Sequence, residues 1–270
     1  MKSKKELFIL RIGGSVLTDR NKSKPNINFA NINILASEIK KAKKEKDFDL
    51  LIVHGMGAFG HPIAKKFNIH KKGISPKKIK GVALLADSLR KLNSIFVSFL
   101  ISKGLNTINY PSNYAITDNR KIVYMPIETI KKYLQLGFIP ILYALPVYDV
   151  SNSISILSAD HLAPYLAKSL KPKLLISGVS IEGVYDYNPK KNSNAKLVKK
   201  ITPLTFKKLI KEIGGTHYVD VTGGMVRKLT ELLNVTDCGV KSRIINITRP
   251  NILSQTIIGN KNYGTLVTKD

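Results

Sequence analysis

Residues 50–67 read LLIVHGMGAFGHPIAKKF and carry the strongest local prediction in the chain. Residues 50–53 are all apolar and predict a buried strand, and His61-Pro62 predicts the start of a helix, because proline suits the first helical position. Three glycines join the two elements: Gly55, Gly57 and Gly60. A backbone without Cβ atoms can close its N–H groups on an anion at a helix N-terminus, so the turn predicts a phosphate site with His61 at its mouth.

The same turn fits the G-x-G-x-x-G pattern of dinucleotide sites, which requires an acidic residue about 20 positions further on. No Asp or Glu lies between Asp49 and Asp87. The interval holds seven lysines instead: Lys65, Lys66, Lys71, Lys72, Lys77, Lys78 and Lys80. A dinucleotide site is therefore disfavoured, and a phosphate site and a plain connecting turn remain.

The chain is strongly basic, with 44 Lys and Arg against 18 Asp and Glu and a net charge of +26 over 270 residues. Nucleic-acid binding is one interpretation of such a charge. The lysines are spread through the whole sequence, with no arginine-rich tail and no pattern of stacked aromatics. We therefore expect no nucleic-acid partner. The positive electrostatic field of the protein would instead attract a small polyanionic substrate.

The sequence offers no run of about 18 apolar residues, so we expect no membrane partner. The apolar run near the start is too short for a signal peptide. The single cysteine, Cys238, excludes an internal disulfide, favours a cytoplasmic location and is expected to fill the core.

Apolar runs that end at turns alternate with segments of helical periodicity. Strands are predicted at 7–12, 50–53, 107–110, 138–143, 173–177, 243–248 and 265–267. Helices are predicted at 30–46, 82–102, 126–136, 160–170, 203–213 and 225–235. This alternation predicts an α/β fold with a mostly parallel sheet covered on both faces, and functional loops at the carboxyl ends of the strands.

Four motifs lie at such strand ends: RIGGS at 11–15, HGMGAFGH at 54–61, SADH at 158–161 and DVTGGMVRK at 220–228. The segment SIEGVYDYNP at 180–189 lies between the last two. In this order the motifs resemble the amino-acid-kinase superfamily, and within it the archaeal-type isopentenyl phosphate kinases. The resemblance runs from residue 7 to about residue 267, and GHPIAKKF and DVTGGM are its most specific parts.

The resemblance implies a three-layer αβα sandwich with a mostly parallel central sheet, the amino-acid-kinase fold. It implies one domain over residues 1–270, with an acceptor-substrate half at about 1–155 and a nucleotide-binding half at about 156–270. The implied reaction is ATP-dependent phosphorylation of isopentenyl phosphate to isopentenyl diphosphate in the archaeal-type mevalonate pathway. ATP and Mg²⁺ are the implied cofactors, with Mg²⁺ held by phosphate oxygens and water rather than by protein ligands. A homodimer is implied by analogy.

Site residues follow from the same resemblance. The catalytic residues would be Arg11, Arg20, His61, Asp160 and Lys228. The acceptor would contact Gly55, Met56, His61, Ala159 and Asp160. ATP would contact Arg11, Gly13, Gly14, Ser15, Gly57, Ser180, Gly183, Tyr185, Pro189, Gly223, Gly224 and Lys228. The histidine at position 61 points to an acceptor that already carries a phosphate.

Several residues depart from the usual pattern. Arg11 and Arg20 occupy positions where lysine is usual, and arginine is bulkier and forked. Met56 replaces a glycine and would crowd the acceptor phosphate. Two alternatives therefore stay open: a sister kinase acting on another small phosphate or phosphonate, and a non-catalytic nucleotide- or nucleic-acid-binding protein.

Two further expectations concern single elements. The helix predicted from residue 82 would form the wall of an alkyl pocket, with small residues giving room for longer alkyl phosphates: Val82, Ala83 and Ala86. His54 follows a buried strand and is expected to be structural, whereas His70 and His217 are expected at the surface.

Overall fold

A computed structural model describes residues 5–19, 25–187, 189, 192–213 and 223–270. The predicted residues Arg20 and His217 lie outside these ranges. The strands are β1 (Glu6–Ile12), β2 (Thr18–Asp19), β3 (Asn26–Ile27), β4 (Phe48–His54), β5 (Thr107–Asn109), β6 (Ile116–Asp118), β7 (Lys121–Tyr124), β8 (Ile139–Tyr143), β9 (Leu145–Asp149), β10 (Ser153–Leu157), β11 (Leu174–Val179), β12 (Lys200–Ile201), β13 (Ser242–Asn246) and β14 (Thr265–Val267). The α-helices are α1 (Gly14–Leu17), α2 (Phe29–Glu45), α3 (Gly57–Lys66), α4 (Pro76–Ser102), α5 (Ile127–Gln135), α6 (Ala159–Leu170), α7 (Pro203–Ile213), α8 (Gly223–Thr236) and α9 (Ile252–Ile258).

The central sheet has eight strands in the order β12-β14-β13-β11-β1-β4-β8-β5. All its neighbouring pairs are parallel except β13 with β14. Strands from both predicted halves of the chain form this one sheet, since β1 lies between β4 and β11. The predicted mostly parallel sheet is confirmed, and the carboxyl ends of β1, β4 and β11 meet at one edge.

Alternate residues of the central strands enter two different cores. Leu10 of β1 joins a cluster with α2, α4 and α9, whereas Ile9 joins a cluster with α5, α6 and α8. This alternation follows from the two-residue period of a strand. The predicted three-layer α/β arrangement, with helices on both faces, is confirmed.

A second sheet, in the order β10-β9-β6-β7, was not predicted. Its hairpin turns at Asn119 and Arg120, which have φ values of 46° and 67°. The buried Asp149 carboxylate accepts from the Arg120 backbone N–H in this turn at 2.8 Å and from the Asn152 backbone N–H, in the turn between β9 and β10, at 2.8 Å. These hydrogen bonds keep the pKa of Asp149 well below its usual range although burial opposes them.

Two predicted helix starts are wrong. Helix α3 begins at Gly57, and Pro62 lies inside it. The first turn forms without the proline because the Gly60 N–H bonds to the Met56 carbonyl at 3.1 Å and the Ala58 N–H bonds to Thr18 Oγ1 at 2.9 Å. Helix α4 begins at residue 76 instead of 82, with the Ser75 hydroxyl as its N-cap and a proline at the first helical position.

Of the predictions for single residues, some are confirmed and one is wrong. His54 is buried, with its ring nitrogens bonded to the Gly55 carbonyl and Asn93 Oδ1, so its structural role is confirmed. His70 is exposed, as expected. Cys238 is only half-buried in the turn after α8, so the prediction of a core position is wrong. None of the helices in the described ranges combines the length and hydropathy that a membrane crossing needs.

Candidate active site

The two glycine turns that follow β1 and β4 lie against each other at the carboxyl edge of the sheet. The Gly13 N–H bonds to the Gly178 carbonyl at 2.9 Å, and the Gly55 N–H bonds to the Ile12 carbonyl at 3.0 Å. A Cβ atom on Gly14 would lie 2.3 Å from the Gly57 nitrogen. This close approach requires glycine at position 14, and it brings the RIGGS and HGMG motifs together.

Three residues that are far apart in the sequence form an ion cluster beside these turns. Asp160, in the first turn of α6, accepts from Arg11 Nη2 at 2.9 Å and from Lys228 Nζ at 2.8 Å. The side chains of Arg11 and Lys228 are only 11% and 9% exposed. The prediction that Lys228 and Asp160 belong to one site is therefore supported by direct contact.

The ionisation states of this cluster follow from its geometry. Burial would raise the pKa of Asp160, but Arg11 and Lys228 outweigh it and bring that pKa to about 2. Burial and the neighbouring Arg11 lower the pKa of Lys228 to about 8, against the attraction of Asp160. At neutral pH the cluster therefore holds two cations around one carboxylate and carries a net positive charge.

We call the space around this cluster the central cavity; its volume is about 400 Å³. Ten of the predicted site residues line it: Arg11, Gly13, Gly14, Ser15, Gly55, Met56, His61, Ala159, Asp160 and Lys228. Prediction missed five lining residues there: Ala144, Ser158, Val179, Ile181 and Met225. Ser158, Ile181 and Met225 belong to the quoted motifs but were not assigned to the site. No motif marks Ala144 and Val179, which reach the cavity at the ends of β8 and β11.

The other predicted nucleotide-side residues are not among the described residues that line this cavity. Ser180 lies between the lining residues Val179 and Ile181. The segment after it packs towards β12 and β14, where Tyr185 pairs with Leu197. A Cβ on Gly183 would lie 2.7 Å from Thr265 Oγ1. The remaining members are Gly57, Pro189, Gly223 and Gly224; Gly57 begins α3 and Gly223 begins α8. The roles of all these residues stay predictions.

A second space adjoins the first, and we call it the basic cavity; its volume is about 360 Å³. Its nitrogen-bearing side chains are His61, His70, Lys71, Arg120, Asn152, His161 and Arg227. Its apolar wall consists of Met56, Ile69, Ile154 and Ile156. Within the described part of the chain, no carboxylate lines it. The cavity therefore suits a ligand with an anionic head and a short apolar body.

The two cavities share three lining residues, Met56, His61 and Ser158. A ligand group at this edge would touch both spaces. His61 lies in the second turn of α3 and lines both cavities, and its place at the mouth of a phosphate site stays a prediction. Met56 is buried and packs against Gly60, where a Cβ would lie 2.5 Å from the Met56 Cβ.

The lining of the basic cavity does not support the predicted alkyl-pocket wall on α4. None of the residues that line the basic cavity belongs to this helix. Ile69 belongs to the same buried cluster as Leu85 and Leu89 of α4, and Ile69 is the one that reaches the cavity. The segment between α3 and α4, together with β10, supplies the apolar wall instead.

His161 and Arg120 were missed by the prediction, and both line the basic cavity. His161 Nε2 lies 3.5 Å from Glu231 Oε1. Burial and Arg227 lower the pKa of His161, and Glu231 opposes them. Arg120 donates from Nη2 to the His70 carbonyl at 2.7 Å. No sequence signal marked Arg120, because its position depends on the hairpin of the unpredicted sheet.

Comparison with known proteins identifies the family to which this chain belongs. The family model described as amino acid kinase family matches residues 6–246. An isopentenyl phosphate kinase from Methanothermobacter thermautotrophicus is 34% identical over 269 residues, covering 97% of this chain and 99% of that protein. One from Methanocaldococcus jannaschii is 30% identical, covering 94% and 95%.

A solved structure gives the same result. The chain matches a structure described as X-ray structures of isopentenyl phosphate kinase with a TM-score of 0.84 and 31% identity, covering 97% of this chain and 100% of that one. The family resemblance drawn from the motifs is thereby confirmed, as is the amino-acid-kinase fold. The chain belongs to the amino acid kinase family, and the two relatives of 34% and 30% identity are isopentenyl phosphate kinases.

Proposed function

We propose that this protein transfers the γ-phosphoryl group of ATP to isopentenyl phosphate, yielding ADP and isopentenyl diphosphate for isoprenoid biosynthesis. One observation carries the proposal: the glycine-lined central cavity and the basic cavity meet at His61, beside the Arg11–Asp160–Lys228 cluster. The names of relatives that match over nearly their whole length give independent support.

The chemistry needs little more than alignment and charge neutralisation. The nucleophile is an oxygen of the acceptor phosphate, which is already anionic, so no strong base is required. In the central cavity, backbone N–H groups of the two glycine turns would meet the ATP phosphates. Arg11 and Lys228 would neutralise charge on the transferring group, and ionised Asp160 keeps both cations in place.

The acceptor would lie in the basic cavity with its phosphate at the shared edge. His61 would contact that phosphate, and the isoprenoid body would lie against Ile69, Ile154 and Ile156. This orientation puts the acceptor oxygen next to the γ-phosphate. Ser158 lines both spaces and would lie beside the transfer point.

The protein groups fit Mg²⁺ delivered with ATP rather than held by a protein cage. No group of three or more His, Cys, Asp or Glu side chains within the described ranges could hold a metal ion. Asp160 is the carboxylate of the central cavity, and two cations already engage it. Bound mainly by phosphate oxygens and water, Mg²⁺ would neutralise charge on the phosphates.

Coupled ADP release with isopentenyl phosphate tests the proposal, with His61→Ala as the variant and Lys65→Ala, an exposed residue of α3, as the control. We expect activity in the wild type and in the control. In His61→Ala the loss should appear mainly as a higher KM for isopentenyl phosphate. No ADP release by the wild type, or steeply salt-dependent binding to nucleic acid in its place, would contradict the function. An unchanged acceptor KM in His61→Ala would contradict the role of His61.

A sister activity on another small phosphomonoester or phosphonate is the second candidate. The observation that favours it is the number of cations around the basic cavity, beyond what one isopentenyl phosphate needs. A panel of small phosphates and phosphonates at equal concentration separates the two candidates by kcat/KM. The cytoplasmic location and the homodimer remain proposals; light scattering of the purified protein measures the oligomeric state directly.

A further inference from the structure

The first turns of α8 carry two consecutive cations that reach different cavities. Lys228 is buried and lines the central cavity, whereas Arg227 is exposed and lines the basic cavity. Neighbouring residues of an α-helix project about 100° apart, because one turn takes 3.6 residues. The helix therefore presents Lys228 to the central cavity and Arg227 to the basic cavity.

Ser158 fixes the position of Arg227 at this edge. Arg227 Nη2 donates to Ser158 Oγ at 3.2 Å, and Ser158 lines both cavities. Within the described part of the chain, the other guanidinium nitrogens of Arg227 have no hydrogen-bond partner, and no carboxylate lines the cavity that they face. Arg227 thus offers unused donors close to the transfer point.

Arg120 lines the same cavity, but its guanidinium donates to the His70 carbonyl, and His70 does not line the central cavity. Arg120 and His161 also line a third space next to the β6–β7 hairpin, which neither His61 nor Arg227 lines. Of the two arginines that line the basic cavity, Arg227 is therefore the one tied to the central cavity, through Ser158 and its neighbour Lys228. An arginine fork matches two oxygens of a phosphate, so Arg227 suits the dianionic head of the acceptor better than a point charge would.

We propose that Arg227 is a further catalytic residue, which binds the acceptor phosphate opposite His61 while Ser158 positions its guanidinium. This inference rests on the proposed function and assigns part of its acceptor site. During transfer the guanidinium would stay on the acceptor phosphate, and Lys228 would stay on the donor side.

Initial rates of Arg227→Met and Arg227→Lys test the assignment, with isopentenyl phosphate and ATP varied separately. The control is Arg90→Met, an arginine with a 70% exposed side chain on α4 that is paired with Asp87. We expect Arg227→Met to lower kcat/KM for isopentenyl phosphate by about 10- to 100-fold, as for a lost charged hydrogen bond, and the KM for ATP to stay within about twofold. Arg227→Lys should recover part of the loss, and added guanidinium ion should partly restore an Arg227→Ala variant.

The outcomes separate the two proposals. A wild type that turns over isopentenyl phosphate and an Arg227→Met variant with unchanged acceptor kcat/KM would overturn the role of Arg227 alone. A loss confined to the KM for ATP would also overturn it. A wild type without this activity would overturn the proposed function and this inference together.

Discussion

The central cavity and the basic cavity share one edge but hold their cations in different ways. In the central cavity Arg11 and Lys228 are buried and locked on Asp160. In the basic cavity Arg120 and Arg227 are exposed, and within the described part of the chain their guanidinium groups donate to a carbonyl and a hydroxyl rather than to a carboxylate. Ion pairs thus hold the cations of the central cavity, the donor side, in place. The cations of the basic cavity, the acceptor side, remain available to bind a ligand.

This difference indicates which side sets rate and which sets specificity. Buried cations held by a carboxylate need no rearrangement when the triphosphate binds, so they favour the transition state directly. Exposed cations gain their partner only when the acceptor arrives, so they discriminate among acceptors. Substitutions in the central cavity should therefore reduce kcat, and substitutions in the basic cavity should change the acceptor KM.

The largest effect is expected for Asp160→Asn. Arg11 and Lys228 lose the anion that orients them, so kcat should fall by about 100- to 1000-fold with isopentenyl phosphate. Saturating ADP-release rates measure the change, and Glu128→Gln, an exposed acid on α5, serves as the control. A kcat within about threefold of the wild type would break the distinction between the two cavities.

A second prediction concerns pH and the donor side. Because the pKa of Lys228 is about 8 in the free protein, kcat/KM for ATP should decline as pH rises above that value and the ammonium loses its proton. In Lys228→Arg this alkaline decline should disappear, since arginine stays protonated. A wild-type profile that is flat through pH 9 would contradict the predicted protonation state.

Met56→Ala tests the acceptor side through tail length. Met56 forms part of the apolar wall, and its truncation should enlarge the basic cavity. We expect the ratio of kcat/KM for geranyl phosphate to that for isopentenyl phosphate to rise by about tenfold. Strict rejection of geranyl phosphate by both the wild type and the variant would show that other residues limit the tail.

The smallest effect on activity is expected behind the site. Asn93 accepts from the buried His54 at 3.1 Å and donates to Asn109 Oδ1 at 2.7 Å. Asn93→Ala should lower the free energy of unfolding by about 1–3 kcal/mol, because it leaves buried polar atoms unpaired. Urea unfolding measures this loss, and kcat should change less than twofold. A large kcat loss at unchanged stability would assign His54 a part in catalysis.

Most residues of the donor side could be predicted from the sequence, whereas few residues of the acceptor side could. Apolar strands ending in glycine turns, as at Gly13 and Gly55, are local signals, and parallel strands bring their ends together. Arg120, Ile154 and Ile156 depend on the second sheet, whose strands are three to five residues long and carry no strong pattern.

The missed helix starts have local reasons. The Ser75-Pro76 pair is a good start signal for α4, but Lys77, Lys78 and Lys80 interrupt its apolar periodicity. Pro62 suggested a helix start, yet α3 begins a turn earlier because the tight contact between Gly14 and Gly57 and the Thr18 hydroxyl already stabilise its first turn. Such tertiary contacts are invisible in a single sequence.

A crystal structure with a non-hydrolysable ATP analogue and isopentenyl phosphate tests the central claim most directly. The account predicts triphosphate oxygens on Arg11 and Lys228, and the acceptor phosphate at His61, with its nucleophilic oxygen about 3–3.5 Å from the γ-phosphorus. An analogue whose phosphates avoid the Asp160 cluster, or an acceptor phosphate away from the edge that the two cavities share, would contradict it.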